Sequence, residues 1–133
     1  MNENYISNKK ITSKAFIDIL NRSTLGVRRP VDDEKCMQGM LDHADILVVA
    51  MDDEKIVGVA RAISDFNYAC YLSDLAVDVA YQKKGIGKKL IDKVGEQLEK
   101  GCKMILLSAP DAVEYYPKVG FTQHPSAWIK VVK

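Results

Sequence analysis

Cysteine and histidine are scarce in this 133-residue sequence, three of one and two of the other. Cys36, Cys70 and Cys102 match neither the spacing of a zinc ribbon nor that of a redox pair, and His43 and His124 stand alone, so no metal constellation is expected. An odd cysteine count fits reduced thiols in a cytoplasm. Long apolar runs are missing as well. Nothing approaches the ~20 residues needed to span a bilayer, and Met1 to Tyr5 lacks the apolar core of a signal peptide. An excess of one charge is also absent: 19 Lys and Arg against 18 Asp and Glu leave a formal net charge of +1. Nothing global then draws the chain to nucleic acid or to a membrane surface. Repeats, linkers and low-complexity stretches are lacking. The expectation is a cytoplasmic, soluble protein.

What is present is an ordinary globular composition, 47% hydrophobic and 28% charged. The length fits one domain, residues 1–133. A domain of this size buries about two-thirds of its unfolded surface and needs no disulfide or metal staple.

Tyr5 and Ile6 suggest a short edge strand. Thr12 or Ser13 is placed to N-cap a helix whose Ala15, Phe16, Ile19 and Leu20 line one face, with Gly26 just past its end. Arg28-Arg29-Pro30 is a break. The acidic run Asp32 to Glu34 opens a second helix with Met37, Met40 and Leu41 on its apolar face. Ile46 to Met51 and Ile56 to Ile63 read as a strand pair joined by the polar turn Asp52 to Lys55. Tyr71 to Val79 reads as a third strand. Leu90, Ile91, Val94 and Leu98 mark a helix to about Lys100, stopped by Gly101. Met104 to Leu107 reads as a buried strand, Ala112 to Val119 as a short helix ended by Gly120, and Trp128 to Val132 as a final strand. Hairpins in the first half and strand–helix–strand crossovers in the second imply an α/β domain: one mixed sheet flanked by helices.

Chemistry concentrates between Leu72 and Leu90, where a strand runs into a loop with two glycines and then into a helix. Gly85 and Gly87 let the backbone turn tightly and approach a ligand. Free N–H groups and the dipole at the helix start favour an anion there, and Lys83, Lys84, Lys88 and Lys89 add positive charge. In physical terms this is a pyrophosphate site. The same residues also fit an ordinary turn before a solvated helix face. A dinucleotide fingerprint needs three glycines and a later acid, and a Walker A loop needs a different spacing, so neither applies.

Gln82-Lys83-Lys84-Gly85-Ile86-Gly87 matches the Q/R-x-x-G-x-G/A signature of the GCN5-related N-acetyltransferases, and the chain resembles that family. Leu75-Ala76-Val77 looks like the family's central bulged strand. Tyr115-Tyr116-Pro117-Lys118-Val119-Gly120-Phe121 resembles its second signature, Y-x-K-x-G-F, with Ala112 four residues before Tyr116. The resemblance is close over residues 72–121 and extends to element order elsewhere.

The resemblance implies the acyl-CoA N-acyltransferase fold, acetyl-CoA as co-substrate and no metal. It implies that the backbone of Leu75, Ala76 and Val77 pairs with pantetheine and holds the acetyl carbonyl. Gln82, Lys83, Lys84, Gly85, Ile86, Gly87 and Lys88 would bind the phosphates. Ala112 would lie at the cofactor, and Ser108 would compensate for Ala109, where many members have asparagine. Tyr116 is implied as the general acid for the leaving thiolate, since a phenol with pKa of about 10 can donate that proton. Asp74 or Asp65 is a candidate base or orienting acid for the attacking amine, and Asp74 is equally placed to be a structural partner. Arg28 and Arg29, in the loop that lines the family's acceptor site, fit an acidic acceptor or a surface loop. Asp65, Tyr68, Tyr71 and Asp74 would make an aromatic, acidic pocket for a cationic amine. The expected reaction is direct attack by a primary amine, expected on a small molecule, within a ternary complex, since no Ser/His or Cys/His pair is evident. Two alternatives are a protein- or RNA-borne amine and a non-catalytic acyl-CoA sensor. A homodimer is a family-level expectation. Two further departures from the family pattern are Val79-Ala80, which lacks the proline often found before the glutamine, and Pro117 directly after Tyr116.

Overall fold

A computed structural model describes residues 1–132. Five strands form one sheet: β1 (Glu3–Ser7), β2 (Ile46–Asp52), β3 (Lys55–Ser64), β4 (Ala69–Val77) and β5 (Lys103–Ile105). They lie in sequence order, β1 to β4 antiparallel and β5 parallel to β4. The helices are α1 (Ser13–Arg22), α2 (Glu34–Asp42) and α3 (Ile86–Gly95).

The N-caps act as the sequence suggests. Thr12 accepts from the Ala15 N–H and opens α1, and Asp33 accepts from the Cys36 N–H and opens α2. Alternation along the strands then fixes which helix covers which face. Leu47, Val49, Met51 and Val59 pack with Phe16, Ile19 and Leu20 of α1 and Met37 of α2. Ile46, Val48, Ala50, Val57, Ala60 and Ala62 pack with Ile86, Leu90, Ile91 and Val94 of α3. The sheet is thus the middle of three layers.

One bulge decides the rest. Arg61 pairs with Asp74 and Ala62 with Leu72, which leaves Ser73 as an extra residue in β4. A slip of one residue exchanges the faces of everything beyond it. Cys70 and Leu72 therefore join the α3 core, whereas Ala76 joins the α1–α2 core and Leu75 and Val77 rest on the α3 side. Asp74, on the same side as Ala76, is buried toward the α1–α2 loop.

Four expected elements differ. The helix foreseen from Ala112 to Val119 is two short 3-10 turns, Pro110–Ala112 and Tyr116–Val119. Pro117 has no N–H to donate and its ring clashes with the carbonyl four residues back, so a continuous helix cannot pass through it. The helix foreseen to Lys100 ends at Gly95, and Gln97 and Leu98 make only tighter turn bonds to Val94 and Gly95. The final strand foreseen at Trp128 to Val132 is not a strand, and Trp128 is 92% exposed. The strand foreseen over Met104 to Leu107 is only Lys103–Ile105, half-buried at most, and offers too short an edge to template another strand.

Candidate active site

β5 pairs with β4 only at Ala69, Cys70 and Tyr71. From Leu72 to Val77, β4 has a strand neighbour on the β3 side alone, so the sheet is splayed along that stretch. A small cavity of about 70 Å³ lies there, lined by Leu25, Arg29, Leu72, Ser73, Leu75, Leu106, Leu107, Ala109, Ala112 and Tyr116. The bulge residue, the strand after it and the Tyr116 turn thus meet at one place. A larger hollow of about 210 Å³ between α1 and α2 gathers only Ser13, Lys14, Ile17 and Glu34, and no chemistry converges there.

Tyr116 is half-buried and packs edge-on against Phe121 at 5.5 Å and against Tyr115 at 5.3 Å between ring centroids. Burial pushes its phenol pKa up, Tyr115 adds to that, and the positive charge of Arg29 opposes it. The phenol is therefore a proton donor at neutral pH.

The loop from β4 to α3 is held at several points. Asp78 accepts from the Ala80 N–H at 2.8 Å, and Gln82 Nε2 donates to the Val77 carbonyl at 3.0 Å. Arg22 of α1 reaches across to Asp78 at 2.5 Å and to the Ile56 carbonyl at 2.8 Å. Lys83 and Gly85 take positive φ, 64° and 81°, and Gly85 is the N-cap of α3. The first i→i−4 bond of the helix is Lys89 N–H to the Gly85 carbonyl, so the N–H groups of Ile86, Gly87 and Lys88 lie ahead of the ladder. A Cβ on Gly87 would sit 2.6 Å from the Tyr115 hydroxyl, so only glycine lets that side chain lie against the helix start.

The lysines are not equivalent. Lys88 is engaged with Asp92 at 3.0 Å and Lys89 with Glu3 at 2.5 Å. Lys84 lies 5.3 Å from the Tyr81 ring centroid. Lys83 stands at the exposed, left-handed corner of the loop.

Asp74 has both oxygens occupied: Arg29 Nε donates to one, and Arg61 Nε donates to the other at 2.5 Å. Arg29 also donates to the Ser73 carbonyl at 2.7 Å, and Arg61 to the Ser73 hydroxyl at 2.8 Å and the Met40 carbonyl at 3.3 Å. The two guanidiniums thereby satisfy the polar groups that the bulge frees from the ladder. Arg28 is exposed.

The aromatic, acidic pocket foreseen from Asp65, Tyr68, Tyr71 and Asp74 does not come together. Asp65 is spent on the β3–β4 turn, where its carboxylate accepts from the N–H groups of Asn67, Tyr68 and Ala69. Tyr68 is exposed against Lys103 Nζ, 4.5 Å from its ring centroid. Tyr68 to Asp74 spans six residues of extended chain, roughly 20 Å. Ser108 is half-buried beside the cavity wall but does not line it. Sequence reasoning missed Arg61 and Tyr115. Arg61 is a charged residue inside an apolar strand, and that anomaly was the available signal. Among the described residues, no group of His, Cys, Asp and Glu is placed to hold a metal, and no helix is long and apolar enough to cross a membrane.

A family profile described as "Acetyltransferase (GNAT) domain" matches residues 23–130. The chain is 28% identical over 127 residues to an uncharacterized N-acetyltransferase, ycf52, of Porphyra purpurea, covering 91% of this chain and 71% of that one. It is 29% identical over 121 residues to GCN5-related N-acetyltransferase 1, chloroplastic, of Arabidopsis thaliana, covering 88% of this chain and 61% of the relative. Among solved structures, a GNAT family acetyltransferase from Streptococcus pneumoniae superposes with a TM-score of 0.77 at 20% identity, over 96% of this chain and 98% of the other. AAC(6')-Iy, solved with the bisubstrate analog CoA-S-monomethyl-acetylneamine, superposes with a TM-score of 0.75 at 19% identity, over 100% and 99% of the two chains.

Proposed function

This chain belongs to the GNAT family of acetyl-CoA-dependent N-acetyltransferases, and from that premise we propose that it transfers the acetyl group to a primary amine of a small molecule by direct attack, with both substrates bound together. The observation that carries the reading is the cavity on the splayed edge of β4, which Leu75 and Tyr116 both line.

The residues present fit acetyl-CoA. The splayed strand leaves Leu75, Ala76 and Val77 without a neighbour on the β5 side, the place for pantetheine. The N–H groups at the start of α3 and the Lys83 and Lys84 side chains would hold the pyrophosphate. Gln82 serves this loop from behind, through its bond to the Val77 carbonyl. Lys88, tied to Asp92, is the weaker phosphate contact. When bound, acetyl-CoA supplies a thioester whose leaving group is a thiolate.

Tyr116 is the proton donor for that thiolate. The amine that attacks must be neutral, and Asp74 is poorly placed to make it so. Its side chain is fully buried and both its oxygens are committed to guanidiniums, so we assign it the anchoring of Arg29 and Arg61. The cavity lining contains no cysteine or histidine, and the Cys70 thiol is buried in the core with its pKa pushed up by burial. That favours direct transfer over a covalent enzyme intermediate. The site is a pocket rather than a long shallow charged groove, which favours a small acceptor over a polymer-borne one.

Isothermal titration with acetyl-CoA, against NADH and ATP, tests the first half of this reading. Micromolar binding of acetyl-CoA alone is expected. No heat with acetyl-CoA would remove the phosphate-loop assignment.

A further inference from the structure

The Arg29–Asp74–Arg61 cluster carries two positive charges against one negative. Its members differ sharply in access to solvent: the Asp74 side chain is 0% exposed, Arg61 5% and Arg29 20%. An uncompensated charge inside a protein is costly, and carbonyl oxygens offset it only in part. Here those oxygens belong to Ser73, Arg28 and Met40. The remaining positive charge opens outward through Arg29 alone, and Arg29 lines the cavity that Tyr116 also lines. A guanidinium has five N–H donors. Arg29 uses three of its donors, toward Asp74, the Arg28 carbonyl and the Ser73 carbonyl. Two donors are left. No carboxylate lines the cavity among the described residues, because Asp74 is sealed behind the two arginines. Arg28, next in the chain, is exposed and adds to the field.

We propose that Arg29 is the acceptor-recognition residue and that the acceptor is a small amine bearing an anionic group, carboxylate or phosphate, close to its amino group. The inference rests on the acetyltransferase reading above and narrows it. The same charge works against polycationic acceptors, which would meet Arg29 with no free acid to receive them. Asp74 and Arg61 act behind it: they fix the guanidinium plane and brace the Ser73 bulge, so they are positioning residues.

The test uses matched acceptors on the unaltered protein, with thiol release as the readout. An amino acid is compared with its amide, and an aminoalkyl phosphate with the corresponding amino alcohol. The anionic member of at least one pair is expected to have kcat/KM about tenfold or more above its neutral partner, the scale of a hydrogen bond to a charged group. Which pair shows it identifies the anion. Arg29→Gln, in which Asp74 keeps Arg61, is expected to abolish that preference through the acceptor KM while the acetyl-CoA KM changes less than about twofold. Arg29→Lys is expected to restore part of it. Equal kcat/KM within both pairs, a preference for polycations, or no transfer to any of these amines overturns the proposal. Acetyl-CoA titration of the same sample reports separately whether the enzyme reading survives.

Discussion

Residues up to the end of α3 and residues beyond it make unlike contributions. Every fully buried apolar side chain lies between Phe16 and Val94. After Gly95 the chain adds only half-buried contacts, among them Met104, Leu106, Tyr115, Tyr116, Val119 and Phe121, resting on the α3 core. Yet that thin layer supplies Tyr116 and half the cavity wall. The first region is a scaffold whose stability comes from packing on both faces of a sheet. The second is a wall whose stability is borrowed from the scaffold. The candidate site lies at their seam, where β4 loses its second neighbour.

The contrast breaks most visibly at Phe16. It is fully buried between α1 and the sheet, so Phe16→Ala is expected to cost about 3–5 kcal/mol in urea unfolding. Since domains have only ~5–15 kcal/mol to lose, that threatens the fold itself. A cost near that of a surface change would mean the α1–α2 layer is not core.

Tyr116→Phe reverses the pattern. Turnover is expected to fall by about 10²-fold, with acetyl-CoA affinity and melting temperature nearly unchanged. Because burial raises this phenol's pKa, the acid form persists as pH rises, and turnover should hold through pH ~10 and fall only above it. A pH profile whose alkaline limb survives in Tyr116→Phe would assign the limb to another group.

Asp78 joins the scaffold to the β4–α3 loop. Burial alone would raise its pKa, but the Ala80 N–H and Arg22 outweigh that and hold it below the usual carboxylate range. A lowered folded-state pKa stabilises above the unfolded value near ~3.9 and loses that contribution as pH falls through the folded one. Asp78→Asn should cost about 2 kcal/mol at neutral pH, and its stability should decline less steeply below pH ~4. Parallel acid titrations of the two proteins by circular dichroism would show it. The smallest effect is expected at Trp128. Trp128→Ala should change stability by less than about 0.5 kcal/mol, and a larger change would show that the exposed tail has a partner.

The legible parts of the sequence were those with local causes. The apolar spacing of Phe16, Ile19 and Leu20, the cap at Thr12 and the glycines of the β4–α3 loop act within a turn or two, and each stands where the residues imply. The Ala112 to Val119 helix failed for a local reason too, since Pro117 forbids it. The Trp128 strand failed for a distant one: a strand needs an edge, and β5 is three residues long. The pocket foreseen around Asp65 and Asp74 failed because Asp65 is spent on the β3–β4 turn and Asp74 on two arginines, and no periodicity records which charges meet.

By itself the sequence determined the sheet flanked by helices and the glycine loop at the start of α3, because periodicity, capping and backbone freedom are properties of neighbouring residues. Only the tertiary structure decided that Arg61 and Arg29 share one carboxylate, that β4 and β5 part after Tyr71, and that Tyr116 and Arg29 line one cavity. Those outcomes depend on register and on charges brought together from distant points in the chain, and register is set by the packing of whole faces.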